Sequence, residues 1–309
     1  MQKLNIIILI VLSLSTSIYS QENGTNIQEE LIYGRKHGMA LTMAVLKPKK
    51  PNGKGIISVV SGNWISSHAH MKKYFLDAAK PFTDNGYTVF LTMHGSNPRF
   101  DISEAATDIK RAVQFVRYNA DKFNIDSDNI GITGSSSGGH LSLLIGTSDD
   151  TKNIESEDPV ARVSSKVQAV AVFYPPTDFL NWGQSGGYMN YLQYGDLLAQ
   201  SGVLGALKFN MFNEAKFVYE VVDNPEKLKE VSKSVSPAQL ITSDDAPTYI
   251  IHGDKDTTVP LQQSTILQEK FDNIKLPFEL IIVPGADHGW ENMNKDRLKF
   301  VKWFDKHLN

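Results

Sequence analysis

The 309-residue chain contains no cysteine. Disulfides are therefore excluded, and so is anchorage through a lipidated N-terminal cysteine. Stability must come from the core, and a chain this long can build one. Long apolar runs are also missing. The run from Ile6 to Leu14, interrupted by Ser13, stops well short of the ~20 residues that span a bilayer. Excess positive charge is absent: 31 Lys and Arg stand against 34 Asp and Glu, for a net charge of -3. No basic stripe appears, which argues against nucleic acid as a partner. The sequence has neither an internal repeat nor a low-complexity segment, which excludes solenoids and propellers.

What remains is an ordinary globular composition, 41% hydrophobic and 21% charged. The first twenty residues differ from the rest. Lys3 gives a positive start, an apolar stretch follows, and Ser15, Thr16, Ser17 and Ser20 lead into Gln21. That order reads as a cleavable secretory signal peptide, ending after Ser20 or Ser17. The expectation is export to the medium or periplasm, with no stable membrane anchor. Residues 21–309 are then expected to form one domain.

Short apolar runs alternate with helical periodicity through most of that length. Two strands are expected in 32–46 around His37-Gly38, and further strands at 55–60, 87–93, 130–133, 167–173, 248–251 and 279–283. Helices are expected over 71–82, 101–123, from just past Ser136 to about 145, 262–271 and 296–308. This rhythm implies an α/β fold with a mostly parallel central sheet covered on both faces. Residues 178–240 break it. They hold Phe179, Trp182, Tyr188, Tyr191 and Tyr194 among glycines. They read as a cap-like insertion over the sheet's carboxyl edge, its aromatics either lining a pocket or forming a small core of their own.

Gly134-Ser135-Ser136-Ser137-Gly138 fits G-x-S-x-G. The pattern alone is weak and also suits a plain Gly/Ser turn. Here it follows a short strand and opens a helix, the setting a nucleophile elbow requires. The spacing selects Ser136. A serine hydroxyl needs a base, and the base needs an orienting acid. In hydrolases with this elbow the chain order is Ser, then Asp or Glu, then His, each after a strand. Two loops fit: His252-Gly-Asp-Lys-Asp-Thr-Thr-Val-Pro260 and Pro284-Gly-Ala-Asp-His-Gly-Trp290. The second offers His288. The first offers Asp254 or Asp256, and either can also be a turn-former. His68 and His70, two apart, suggest a metal only if a third ligand joins them, and a polar helix start is the simpler reading. His140 is expected to pack behind the elbow, His252 to be structural, and His94 to end a strand near the pocket.

These segments resemble a known family. Ile130-Gly-Ile-Thr-Gly-Ser-Ser-Ser-Gly-Gly-His-Leu141, with Asn124-Ile-Asp-Ser-Asp-Asn-Ile130 before it, is similar to the elbow of α/β-hydrolase serine esterases in the carboxylesterase group that includes acetyl-xylan-esterase-like enzymes. The aspartate and histidine loops are similar too. The likeness runs from about residue 32 to 308 and is weakest over 178–240. It implies an α/β-hydrolase fold and a serine hydrolase acting on small or carbohydrate esters, with no cofactor or metal. In that family the acid falls on the second aspartate of its loop, hence Asp256, with Ser136 as nucleophile and His288 as base. One segment departs. The family usually carries His-Gly-Gly-x-Trp, whose glycine backbone helps to bind the oxyanion, where this chain has Ser61-Gly-Asn-Trp64. The oxyanion hole is then expected from the main chain of Ser137 and of Gly62 or Asn63. Loss of one donor would cost about 2.7–4 kcal/mol at the transition state. Two rival readings are a peptidase of the prolyl-oligopeptidase type, which normally has a propeller, and a non-catalytic binding protein on a hydrolase scaffold.

Overall fold

The computed structural model describes residues 21–22, 25–189 and 210–309. The segment expected as a leader, residues 1–20, lies outside these, as do Tyr191 and Tyr194 of the insertion. Among the described residues, nine strands form one sheet. They are β1 (Gln21–Glu22), β2 (Thr25–Lys36), β3 (Met39–Lys47), β4 (Gly55–Val59), β5 (Thr88–Thr92), β6 (Ile130–Ser135), β7 (Ala169–Phe173), and, after a separate hairpin of β8 (Asn210–Asn213) and β9 (Val218–Val221), β10 (Thr248–Gly253) and β11 (Phe278–Val283). The sheet order is β1-β2-β3-β5-β4-β6-β7-β10-β11. The pairings β1–β2, β2–β3 and β3–β5 are antiparallel, and the remaining five in that order are parallel.

Alternation along each strand divides the core in two. On β7, Val170 and Val172 join Ile57, Phe90, Val113 and Leu141 on one face. Ala171 and Phe173 join Ile56, Leu91, Phe82 and Phe300 on the other. Helices α1 (Leu76–Asp84) and α6 (Met293–His307) cover the second face, and α2 (Ile102–Tyr118), α3 (Ser137–Gly146) and α5 (Gln262–Ile274) the first. The helix expected over 101–123 stops earlier. Asp101 and Glu104 form a capping box at its start, and Asn119 ends it, followed by one short turn to Phe123.

The region 178–240, expected as a cap-like insertion, carries no strand–helix rhythm in its sequence. Its described part holds the β8–β9 hairpin and α4 (Pro225–Ser234), which begins with Asn224 as N-cap and proline at the first position. Its described aromatics divide between the core and the surface, where Phe217 is exposed. Phe179 is fully buried against Trp64 and His140, Trp182 stacks on Phe179, and the Tyr188 hydroxyl meets Ser232.

Strand order positions the site. The chain leaves β4 for β5 on one side and returns for β6 on the other. The loops after β4 and β6 therefore diverge at the carboxyl edge and open a crevice there. Ser61-Gly62-Asn63 follows β4, and Ser136 follows β6.

Candidate active site

Ser136 sits at φ 53°, ψ -123°, a conformation that costs a non-glycine residue roughly 1–3 kcal/mol. The surroundings impose it. Its N–H donates to the Phe173 carbonyl at 3.1 Å, and its own carbonyl accepts from the His140 N–H at 2.8 Å. The flanking glycines are required by close approach. A Cβ on Gly134 would lie 2.4 Å from the carbonyl carbon and oxygen of Gly138, and one on Gly138 would lie 2.8 Å from the Val59 carbonyl oxygen. The turn thus lifts the Ser136 side chain off the sheet edge while α3 starts directly behind it, with Ser137 as its first residue.

Ser136, His288 and Asp256 meet. Ser136 Oγ lies 2.9 Å from His288 Nε2, and His288 Nδ1 lies 2.7 Å from Asp256 Oδ2. A carboxylate can only accept, so Nδ1 carries the proton and Nε2 is left to accept from the serine hydroxyl. The Asp256 side chain is fully buried. Its Oδ1 accepts the N–H groups of Thr258 and Val259 at 2.9 and 2.7 Å. Burial pushes this carboxyl up, but hydrogen bonds from His252, His288 and Val259 outweigh that and hold it well below the usual carboxylate range. Asp254 does not approach His288. Its Oδ1 accepts the Gly285 N–H at 2.6 Å and ties the two loops together.

His252 does more than shape the loop. Its Nδ1 accepts from Ser264 Oγ at 2.7 Å, and its Nε2 donates to the Val259 carbonyl at 2.9 Å and lies 3.2 Å from Asp256 Oδ2. Asp256 therefore faces two imidazoles. His140 lies behind the elbow, fully buried, accepting from Trp64 Nε1 at 3.0 Å and donating to the Val235 carbonyl at 2.7 Å. Burial lowers its pKa to about 4. His94, expected to end a strand, lies two residues past the end of β5 and borders a neighbouring cavity with His68. His68 and His70 open a helix whose N-cap, Ser67, accepts the His70 N–H. Among the described residues no group of three His, Cys, Asp or Glu is placed to hold a metal, and no helix is long and apolar enough to cross a membrane.

The loop after β4 narrows the choice of oxyanion donors. The Gly62 N–H is already engaged, donating to the Ile65 carbonyl at 2.9 Å. Asn63 and Trp64 both adopt positive φ, at 50° and 56°. Asn97 Nδ2 donates to the Asn63 carbonyl at 2.6 Å, and Ser61 Oγ lies 3.0 Å from Ser137 Oγ. The loop is thus pinned to α3, to the segment after β5 and to itself.

Ser136 and His288 open into a cavity of about 560 Å³. Asn63, His70 and Tyr74 lie on its walls, with Tyr174, Met293 and Arg297, which the sequence pattern did not single out. Tyr174 directly follows β7 at φ 33°, and its ring centroid is 4.4 Å from that of His288. The described aromatics of the insertion do not line this cavity. A larger cavity, about 880 Å³, lies between β2 and α2, away from the serine.

Comparison with known proteins agrees with this architecture. The family model described as BD-FAE matches residues 43–271. The chain is 25% identical over 251 residues to the esterase LipC of Mycobacterium tuberculosis, covering 81% of this chain and 56% of that protein. It spans about half the length of the curated relatives it matches first. Among solved structures, a truncated carbohydrate esterase from gut microbiota superposes with a TM-score of 0.71 at 25% identity, covering 94% of this chain and 99% of that one. An acetyl ester-xyloside bifunctional hydrolase from Caldicellulosiruptor lactoaceticus gives 0.67 at 22% identity, covering 90% and 95%. The fold is the α/β-hydrolase fold.

Proposed function

As the chain belongs to the BD-FAE family, we propose that it is a serine hydrolase of carboxylic esters, with Ser136 as nucleophile, His288 as base and Asp256 as orienting acid. The observation that carries this reading is the unbroken hydrogen-bond chain from Ser136 Oγ through both His288 nitrogens to Asp256, opening into a cavity. His288 Nε2 takes the hydroxyl proton as Ser136 Oγ attacks the ester carbonyl. The N–H groups of Ser137 and Asn63 receive the oxyanion, since that of Gly62 is engaged by Ile65. His288 then protonates the leaving alcohol, and a water activated by the same imidazole releases the acid. Asp256 holds the imidazole tautomer and stabilises the imidazolium.

Short acyl esters on carbohydrates are the substrate class we propose, supported by the neighbour described as a carbohydrate esterase. Export is proposed from the composition of residues 1–20 alone. The test is hydrolysis of p-nitrophenyl esters from acetate to octanoate by the protein and by its Ser136→Ala variant. Cleavage of short esters that the variant loses supports the reading. Equal rates, or no cleavage by either protein, overturn it.

A further inference from the structure

The cavity at Ser136 holds a cation with no ion pair at contact distance. Arg297, on α6, lines it together with Tyr174, Met293 and His70. No carboxylate lines that cavity, and among the described residues none lies within ion-pair distance of the guanidinium. The two acids whose charge reaches it through space, Asp77 and Asp296, hydrogen-bond to other groups. Asp296 accepts from Trp290 Nε1 and Lys299 Nζ, both at 2.8 Å, and Asp77 accepts from Asn294 Nδ2 at 2.8 Å. Arg297 itself donates once, through Nη1 to Asn294 Oδ1 at 2.7 Å, and its Cζ lies 5.0 Å from the centroid of the Phe173 ring. These two contacts orient a planar group with four further N–H donors. Contrast the larger cavity beside β2, where Arg111 pairs with Asp158 and Lys36 with Asp108. A half-buried guanidinium held in place beside a nucleophile, its remaining donors unmatched by acid, is built to receive one from outside.

We infer that Arg297 selects esters that carry a carboxylate elsewhere in the molecule. This rests on the esterase reading above and refines its substrate class. A single fork of N–H donors in a cavity otherwise walled by neutral and aromatic groups matches one planar monoanion. A phosphate, with about two charges, would call for more cations. The carboxylate can sit on the acyl half, as in a half-ester of a dicarboxylic acid, or on the alcohol half, as in an acylated uronate.

Two probe pairs separate these sources. Mono-4-nitrophenyl glutarate against 4-nitrophenyl butyrate places the charge on the acyl half. 4-Acetoxybenzoate against 4-acetoxybenzamide places it on the alcohol half. The intrinsic reactivity of each pair cancels when the ratio of kcat/KM for the full-length protein is compared with that for Arg297→Gln and Arg297→Lys. The expected result is a preference for the charged member of one pair that falls about tenfold or more in Arg297→Gln, mainly through KM, and less in Arg297→Lys. The preference of the unmutated protein should also weaken as salt rises from about 0.02 to 0.5 M. Fluorophosphonate labelling of Ser136 reports whether each variant retains an assembled site. Where a variant does not label, the salt dependence of the unmutated protein decides. Neutral esters cleaved with no charge preference in either pair, or a preference untouched by salt and by Arg297→Gln, overturn the inference and leave the esterase reading standing. Absence of both ester cleavage and labelling in the unmutated protein removes that reading, and the inference with it.

Discussion

Replacing Asp256 by asparagine should lower kcat about ten-thousandfold while leaving the fold intact. The magnitude follows from which oxygen does what. Oδ1 accepts two backbone N–H groups, from Thr258 and Val259, whereas Oδ2 faces His288 Nδ1 at 2.7 Å and His252 Nε2 at 3.2 Å. An amide nitrogen cannot accept from two N–H donors, so the asparagine carbonyl must occupy the Oδ1 position. Its NH2 then falls where Oδ2 stood and presents a hydrogen to His288 Nδ1. His288 must accept there, and its proton moves to Nε2, the atom that has to take the serine proton. His252 keeps its proton on Nε2, because the Val259 carbonyl accepts it. A base in the wrong tautomer costs about 10⁴ in kcat, or roughly 5.5 kcal/mol of barrier. Asp254→Asn is the control. That residue accepts one N–H, from Gly285, and an amide oxygen can replace it. A change within about threefold is expected there. Steady-state p-nitrophenyl acetate hydrolysis and the rate of fluorophosphonate labelling read both variants. A loss below tenfold in Asp256→Asn, or an equal loss in Asp254→Asn, would refute the tautomer argument.

Two further outcomes follow from burial and close contact. Burial holds His94 and His140 at about 4 in the fold, against 6.5 for free histidine. The unfolded chain therefore takes up protons that the fold refuses between those values. Stability is complete above pH 6.5 and declines as pH falls toward 4, by up to about 3 kcal/mol per histidine. Urea unfolding at about pH 7.5 and 4.5 checks this, and equal stability at both would contradict it. Gly134→Ala should open the elbow, because its Cβ would meet Gly138 backbone at 2.4 Å with no flexible side chain to yield. We expect at least a hundredfold slower labelling of Ser136, since small misplacements at a reacting centre cost about that much. A labelling rate like that of the unmutated protein would show that the elbow relaxes.

The strands and the Ser136 and His288 positions that the fold brings together are legible because each signal is local. Ile130 to Thr133 is apolar and short, Gly134 and Gly138 bracket one serine, and the aspartate and histidine loops each follow an apolar run. The choice between Asp254 and Asp256 was not local. It depends on which carboxylate reaches a histidine more than thirty residues away, and the residues alone left it open until the family resemblance favoured Asp256. The lining of the cavity was hidden for a similar reason. Tyr174 and Arg297 belong to a strand end and to a surface-patterned helix that strand order alone brings beside Ser136. One clue did exist for Tyr174: it directly follows an apolar strand at its carboxyl end, where sites of this fold class form. The regular elements within 178–240 escaped because β8 and β9 are four residues each and pair only with one another.

The segment after β4 shows how a departure from a family pattern can be read in physical terms. The chain turns there through two successive residues at positive φ, Asn63 and Trp64. Glycine adopts that region without strain, and asparagine comes next among side chains that tolerate it. Asn63 is thus a conservative occupant of a glycine-like position. Trp64 is not, and its conformation must be held by contacts. Its indole N–H donates to His140, its ring packs edge-on against the same imidazole, and its carbonyl accepts from the Asn97 N–H. The Gly62–Ile65 pair of hydrogen bonds closes the turn. The loop that would present the Asn63 N–H to an oxyanion is therefore fixed through α3, the same helix that presents the N–H of Ser137. On the proposed assignment the two donors would share that rigidity, and an oxyanion hole depends on preorganised N–H groups and not on which side chains carry them.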